Sequence, residues 1–214
     1  MRGATVRAEA GRQKAPIAFY FEFASAYGYF ASKFIEDVAA RHGRSVDWRP
    51  ILMGTARKIT GSRPKAETPL KGPYYQRDVA RCAGFYRVPY RVPPINPMNS
   101  LPATRAYYWL QEIDAAKAKR LAAALLDTHW GQGRDLSRPE AVAAVAAELG
   151  LDIDTGALLD AVEDRRIKDK VKNITLQSVT EGVFGSPFLI VDGEAFWGAD
   201  RLPHVDRWLA TGGW

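Results

Sequence analysis

Hydrophobic positions along this chain change their period more than once. Ile17-Ala-Phe-Tyr-Phe21 is an apolar, aromatic run with the length and composition of a buried strand. After a turn through Ala24 and Ser25, the residues Phe30, Phe34, Ile35 and Val38 recur at helical spacing. That pattern stops at His42-Gly43, where glycine is the usual end of a helix. Val46 to Met53 reads as a second strand, in which Pro50 demands an edge position or a bulge because it has no N–H to donate. Strand, helix and parallel strand over ~35 residues make one βαβ unit.

The middle of the chain changes character. Residues 60–100 are rich in Pro, Gly and Arg and read as loop, apart from a helix near Tyr75 to Phe85. From Leu101 to Asn173 the pattern is helical, strongest at Leu121-Ala-Ala-Ala-Leu-Leu126. Ser137 is placed to cap a helix and Glu140 to complete a capping box, with Ala141, Val142, Val145 and Leu149 as its apolar face and Gly150 as its end. Asp154 is placed to cap another helix running towards Lys170. Strands return at Phe188-Leu-Ile-Val191 and Glu194 to Trp197, joined by an Asp192-Gly193 hairpin turn, before a last helix from Asp200 to Leu209. The order is βαβ, a helical block, then ββα. This predicts an α/β, thioredoxin-like fold with a large helical insertion between its two halves. Residues 16–57 and 180–214 form the thioredoxin-like domain, 58–179 an inserted helical domain, and 1–15 a flexible basic tail. No internal repeat is evident.

Composition narrows the function. With 214 residues, 47% hydrophobic and 25% charged, the chain has the balance of a soluble globular protein. No apolar run approaches the ~20 residues of a spanning helix, so no membrane role is expected. Arg2, Arg7, Arg12 and Lys14 precede no apolar stretch before Pro16, which argues against a secretory signal. The net charge of +6 is uneven: residues 1–14 carry +3, residues 57–91 carry +7, and the rest −4. In the absence of any nucleic-acid-binding motif, the cationic segment points to a small anionic ligand and not to nucleic acid. The single cysteine, Cys82, excludes an intramolecular disulfide and dithiol exchange chemistry. It reads as a packed thiol, and its lack of partners fits a reducing cytoplasm. His42, His129 and His204 show no metal-ligand spacing.

Chemistry concentrates in two places. Where the first strand ends, Glu22-Phe-Ala-Ser25-Ala-Tyr-Gly28 leads straight into a helix, whose free N–H groups favour an anion. Thioredoxin-like oxidoreductases keep a low-pKa cysteine there. Ser25 takes that place and Gly28 the place of a second cysteine, so the chain can donate a hydrogen bond to another molecule's thiolate but brings none itself. Ser25 is equally suited to capping the helix. The second place is Gly182-Val-Phe-Gly-Ser-Pro187, before the third strand, where Ser186-Pro187 is a candidate cis bond whose backbone can pair with a peptide-like ligand.

Together these segments resemble the 2-hydroxychromene-2-carboxylate isomerases and their relatives, the kappa-class glutathione transferases. The resemblance runs over roughly residues 16 to 210. It is carried by Ser25-Ala-Tyr27, Lys58-Ile-Thr-Gly61, Lys71-Gly-Pro-Tyr74, Gly182 to Pro187, and Phe196-Trp-Gly-Ala-Asp-Arg-Leu202. Ala26 stands where the family has proline, and Ser62 where it has asparagine. The resemblance implies glutathione as cofactor, an aromatic oxo-acid as substrate, and a homodimer. It also implies Ser25 as the catalytic residue beside the thiol, and Ser25, Tyr27, Lys58, Lys71, Ser186, Pro187, Ala199 and Asp200 as the cofactor-binding set. Within it, Ser186 pairs with the cysteinyl unit, Asp200 takes the γ-glutamyl ammonium, and Lys58 and Lys71 meet carboxylates. Tyr74 or Tyr86 is placed to wall a substrate pocket. Three activities remain open on the residues: isomerisation of 2-hydroxychromene-2-carboxylate to trans-o-hydroxybenzylidenepyruvate, conjugation of glutathione to electrophiles, and thiol binding without catalysis.

Overall fold

The computed structural model describes residues 15–64 and 67–214; the basic tail expected at 1–15 lies, but for Ala15, outside the described residues. Strand β1 (Ile17–Phe21) is apolar on both faces and takes a central place. It runs parallel to β2 (Val46–Pro50), with Ile17 opposite Val46, and antiparallel to β3 (Phe188–Val191). Strand β4 (Glu194–Trp197) pairs with β3, giving the order β2-β1-β3-β4. Pro50 is the last residue of an edge strand, so its missing donor is tolerated without a bulge. Asp192 and Gly193 both have positive φ, 53° and 89°, as a two-residue type I′ hairpin requires.

The sheet buries both faces, which is why β1 shows no simple apolar/polar alternation. Phe19, Phe21, Trp48, Leu189 and Val191 lie in the larger core. There Phe19 stacks on Phe21 at 5.1 Å, and Trp48 meets both rings edge-on at 5.2 and 5.4 Å. Helices α1 (Ala26–Ser32), α2 (Ile35–Arg41), α5 (Leu101–Ile113), α6 (Ala115–Leu126) and α7 (Pro139–Glu148) contribute to this core. On the other face Tyr20, Ile51 and Phe188 pack with Met53 and Ala56 of α3 (Met53–Thr60) and with Val183.

Several local expectations are corrected. The single helix expected from about residue 26 to 42 is two seven-residue segments, α1 and α2. At the break the Lys33 and Phe34 N–H groups bond only three residues back, to Phe30 and Ala31. This frees Lys33 to pair with Asp127 and Phe34 to pack on Tyr86 at 5.6 Å. The second strand, expected to reach Met53, ends at Pro50, and the segment from Met53 to Thr60, to which the pattern assigns no helix, is helix α3. Helix α4 (Lys71–Tyr86) starts four residues before Tyr75. Ser137 caps nothing: Asp135 takes both its N–H, at 3.0 Å, and its hydroxyl, at 2.6 Å, and α7 starts without a side-chain cap. Asp154 does cap a helix, α8 (Thr155–Glu163), but Asp164 then caps a separate one, α9 (Arg165–Thr180). The last helix is a 3-10 turn, Ala199–Arg201, followed by α10 (Leu202–Thr211). Among the described residues no helix is long and apolar enough to cross a membrane.

Candidate active site

The chain leaves β1 under tight control. The Trp130 indole, fully buried, donates to the Phe23 carbonyl at 2.9 Å, and the Ser25 N–H bonds to the Glu22 carbonyl at 2.9 Å. Ser25 is the N-cap of α1, with extended φ/ψ of −109° and 112° and its Oγ accepting from the Gly28 N–H at 3.1 Å. Its hydroxyl donates across the site to the Ser186 carbonyl, also at 3.1 Å. Two segments 161 residues apart in sequence therefore meet at one hydroxyl.

The facing loop is equally constrained. Ser186-Pro187 is a cis peptide, and the Glu22 N–H donates to Ser186 Oγ at 2.8 Å. A Cβ on Gly28 would stand 3.0 Å from that same Oγ. Any side chain at position 28 would thus crowd the Ser186 hydroxyl. A Cβ on Gly185 would lie 2.0 Å from Trp197 Nε1, so only glycine lets the indole rest on this loop.

These residues line one end of a cleft of about 840 Å³. Ala24, Ser25, Tyr27, Ser186 and Trp197 line it together with Arg57, Arg63, Lys71, Tyr74 and Tyr75, and the Tyr75 ring meets Tyr27 edge-on at 5.8 Å. Phe184 and Trp197 both line the cleft, their rings meeting at 4.9 Å. Tyr75 is buried, and its phenol is pushed up to about 12 by that burial, with the Ala26 N–H and the Asn96 side chain pulling the other way. Burial first, then the carboxylate of Asp78 at 2.6 Å, raises the Tyr27 phenol further still. Both phenols are therefore held neutral.

The cofactor residues that the resemblance implies are not all in one place. Ser25, Tyr27, Ser186 and Lys71 line the cleft. Pro187 is buried behind Ser186, and its carbonyl accepts from the Gly198 N–H at 3.1 Å. Lys58 is exposed and does not line the cleft; its neighbour Arg57 does, because α3 turns that position inward. Ala199 is buried in the 3-10 turn that packs on α1. Asp200 is exposed, paired with Arg201 at 3.1 Å, and its charge reaches Cys82 and Tyr86 on α4. Tyr74 lines the cleft, whereas Tyr86 packs on Phe30. The Cys82 thiol stands 3.8 Å from Asp78, and burial and that carboxylate push it up.

Two residues of the cleft carried no sequence signal. Glu22, 6% exposed, accepts from the Met53 N–H at 3.2 Å and pairs with Arg57 at 3.1 Å. A polar residue after a strand reads as a solvated strand end, and only the arrival of α3 over it reveals otherwise. The resemblance names Lys58, and nothing in the sequence tells that the cation one residue earlier faces inward.

Comparison with known proteins places these features. Residues 16–210 match the family model of the DSBA-like thioredoxin domain. The chain is 29% identical over 195 residues to the 2-hydroxychromene-2-carboxylate isomerase of Sphingobium xenophagum, a match covering 90% of this chain and 97% of that one. It is 24% identical over 197 residues to glutathione S-transferase kappa 1 of Caenorhabditis elegans, covering 87% of each. A solved 2-hydroxychromene-2-carboxylate isomerase superposes with a TM-score of 0.81 over 91% of this chain and 94% of that chain; at 23% identity this shows a shared fold.

Proposed function

The chain belongs to the DSBA-like thioredoxin domain family, and from that premise we propose that it is a glutathione-dependent enzyme of the 2-hydroxychromene-2-carboxylate isomerase type. One observation carries the reading: the Ser25 hydroxyl stands at the start of α1, in a cleft whose described residues include no thiol, 3.1 Å from the backbone carbonyl of Ser186. A hydroxyl in that place suits holding a sulfur anion that comes from outside. When bound, glutathione supplies the thiolate that adds to a conjugated double bond, lets it rotate as a single bond, and leaves.

The chain's residues divide the remaining work. The Ser186 backbone pairs with the cysteinyl unit, so its carbonyl exchanges the Ser25 hydroxyl for an amide. Ser25 then turns its proton to the sulfur and holds it as thiolate by a charge-assisted hydrogen bond. Pro187 fixes the loop, and Tyr27 borders the cysteinyl site with its ring, its hydroxyl donating to Asp78. Ala199 and Asp200 receive the γ-glutamyl end, the carboxylate of Asp200 facing its ammonium. Lys71 meets a carboxylate at the rim, with Lys58 further out and Arg57 closer in. Tyr74, Tyr75, Phe184 and Trp197 supply aromatic walls for an aromatic oxo-acid. In this reading the protein works in the cytoplasm, as a homodimer, on 2-hydroxychromene-2-carboxylate.

Isomerisation is placed before conjugation on the match to the isomerase of Sphingobium xenophagum, 29% identical and covering 97% of that chain, against 27% and 91% for glutathione s-transferase kappa 2 of Caenorhabditis elegans. The test is a pair of assays, each with and without glutathione. One follows chromene-carboxylate opening to trans-o-hydroxybenzylidenepyruvate, and the other conjugation to a chloronitrobenzene. Glutathione-dependent opening supports the reading. Conjugation alone would favour the transferase, and no glutathione-dependent turnover of either would leave a thiol-binding protein.

A further inference from the structure

Glu22 has no part in the reading above, yet it is the one carboxylate among the described residues lining the cleft. It lies three residues before Ser25. Its backbone N–H holds Ser186 Oγ, and its backbone carbonyl holds the Ser25 N–H, so Glu22 is tied to both halves of the site at its main chain. Facing that carboxyl are the Arg57 guanidinium and the Met53 N–H from α3 and the Ser100 hydroxyl at the start of α5.

A thiol that becomes a thiolate at Ser25 must send its proton elsewhere. Ser25 cannot take it, since the same hydroxyl is needed as donor. Among the described lining residues there is no histidine; Arg57, Arg63 and Lys71 are donors, and the phenols of Tyr27 and Tyr75 are held neutral. Glu22 alone has lone pairs and a charge to neutralise. Burial raises its carboxyl more than Arg57, the Met53 N–H and Ser100 lower it, so it takes up a proton more readily than a solvated carboxylate does.

Resting on the glutathione reading, we infer that Glu22 is the proton acceptor for the thiol bound at Ser25, directly or across one water molecule. The S–H bond breaks, its electron pair stays on sulfur, and the proton forms an O–H bond on the Glu22 carboxylate. The reverse transfer restores the thiol when the product leaves. Arg57 loses its counter-charge at that moment and turns its full charge to the cleft, where an anionic substrate benefits.

A role confined to capping α3 would leave proton bookkeeping untouched, so protons are the readout. Glutathione is titrated calorimetrically into the full chain at neutral pH, in buffers of different ionisation enthalpy, while ultraviolet absorbance counts thiolate. Native protein is expected to form thiolate with well under one proton released per thiolate, and Glu22→Gln to release about one. Glutamine keeps an oxygen for the Met53 N–H but cannot hold the proton. Release of about one proton by the native chain overturns the inference and leaves the glutathione reading standing. No binding, or binding without thiolate, overturns both. Should the glutamine variant fail to fold, the native proton count decides by itself.

Discussion

The two walls of the cleft are built on opposite principles. On one side, Ser25, Glu22 and Ser186 are tied to β1 and to each other by hydrogen bonds of 2.8–3.1 Å, and Trp130 holds the preceding carbonyl from within the core. The other part of the lining, Gly61, Ser62 and Arg63 after α3 and Lys71 and Tyr74 in the first turn of α4, stands exposed, with long cationic side chains turned to solvent. The first wall can hold an atom to a fraction of an ångström, as a developing or stabilised anion requires. The second can attract and accommodate, but its charges are screened and its side chains keep their freedom. In the proposed reading the sulfur anion therefore belongs to the rigid wall, and the choice of substrate to the solvated one.

Breaking the rigid wall should have the largest effect. Trp130→Ala removes a fully buried indole and leaves the Phe23 carbonyl without its partner. It should lower folding stability by about 3–5 kcal/mol, read as a shift in denaturant midpoint at unchanged slope. Next comes Ser25→Ala. Losing one charge-assisted hydrogen bond worth about 1.5–3 kcal/mol should cut glutathione-dependent turnover about 10- to 100-fold. The lost cap should also cost ~1 kcal/mol of stability, measured separately by melting. Unchanged kinetics would remove Ser25 from the mechanism. Smallest are changes in the solvated wall. Lys71→Ala should raise KM about 2- to 5-fold, in a salt-dependent way, while Lys58→Ala should stay within about 2-fold of native, because only the former lines the cleft. A large effect at Lys58 would show that the outer cation reaches the ligand and would blur the distinction between the walls.

The same contrast explains what could be read from the sequence. The strands were legible because Ile17 to Phe21 and Phe188 to Val191 are apolar runs whose partners add nothing contrary, and because Asp192-Gly193 specifies its own turn. Ser25 and the Ser186-Pro187 loop could be picked out because each sits at a strand end with a distinctive neighbour. The break at Lys33 and Phe34 was hidden, since Phe34 continues the helical spacing and only Tyr86 and Asp127, far along the chain, draw the two residues apart. Ser137 was misread because Asp135, two residues away, competes for the hydroxyl and the N–H that would have served the cap. Glu22 and Arg57 were invisible for a related reason: a carboxylate becomes a buried group only when α3 packs over it, and which cation of Arg57-Lys58 faces inward is a matter of helix phase. Pattern reports periodicity and turns well; it does not report which polar side chain tertiary packing will desolvate.

The account depends on an external sulfur being held at the start of α1. A crystal structure of the protein with glutathione tests this most directly. The account predicts the sulfur within hydrogen-bond distance of Ser25 Oγ and the cysteinyl backbone paired with Ser186. Glutathione lodged elsewhere, or absent from a cleft in which Ser25 still donates to the Ser186 carbonyl, would contradict it.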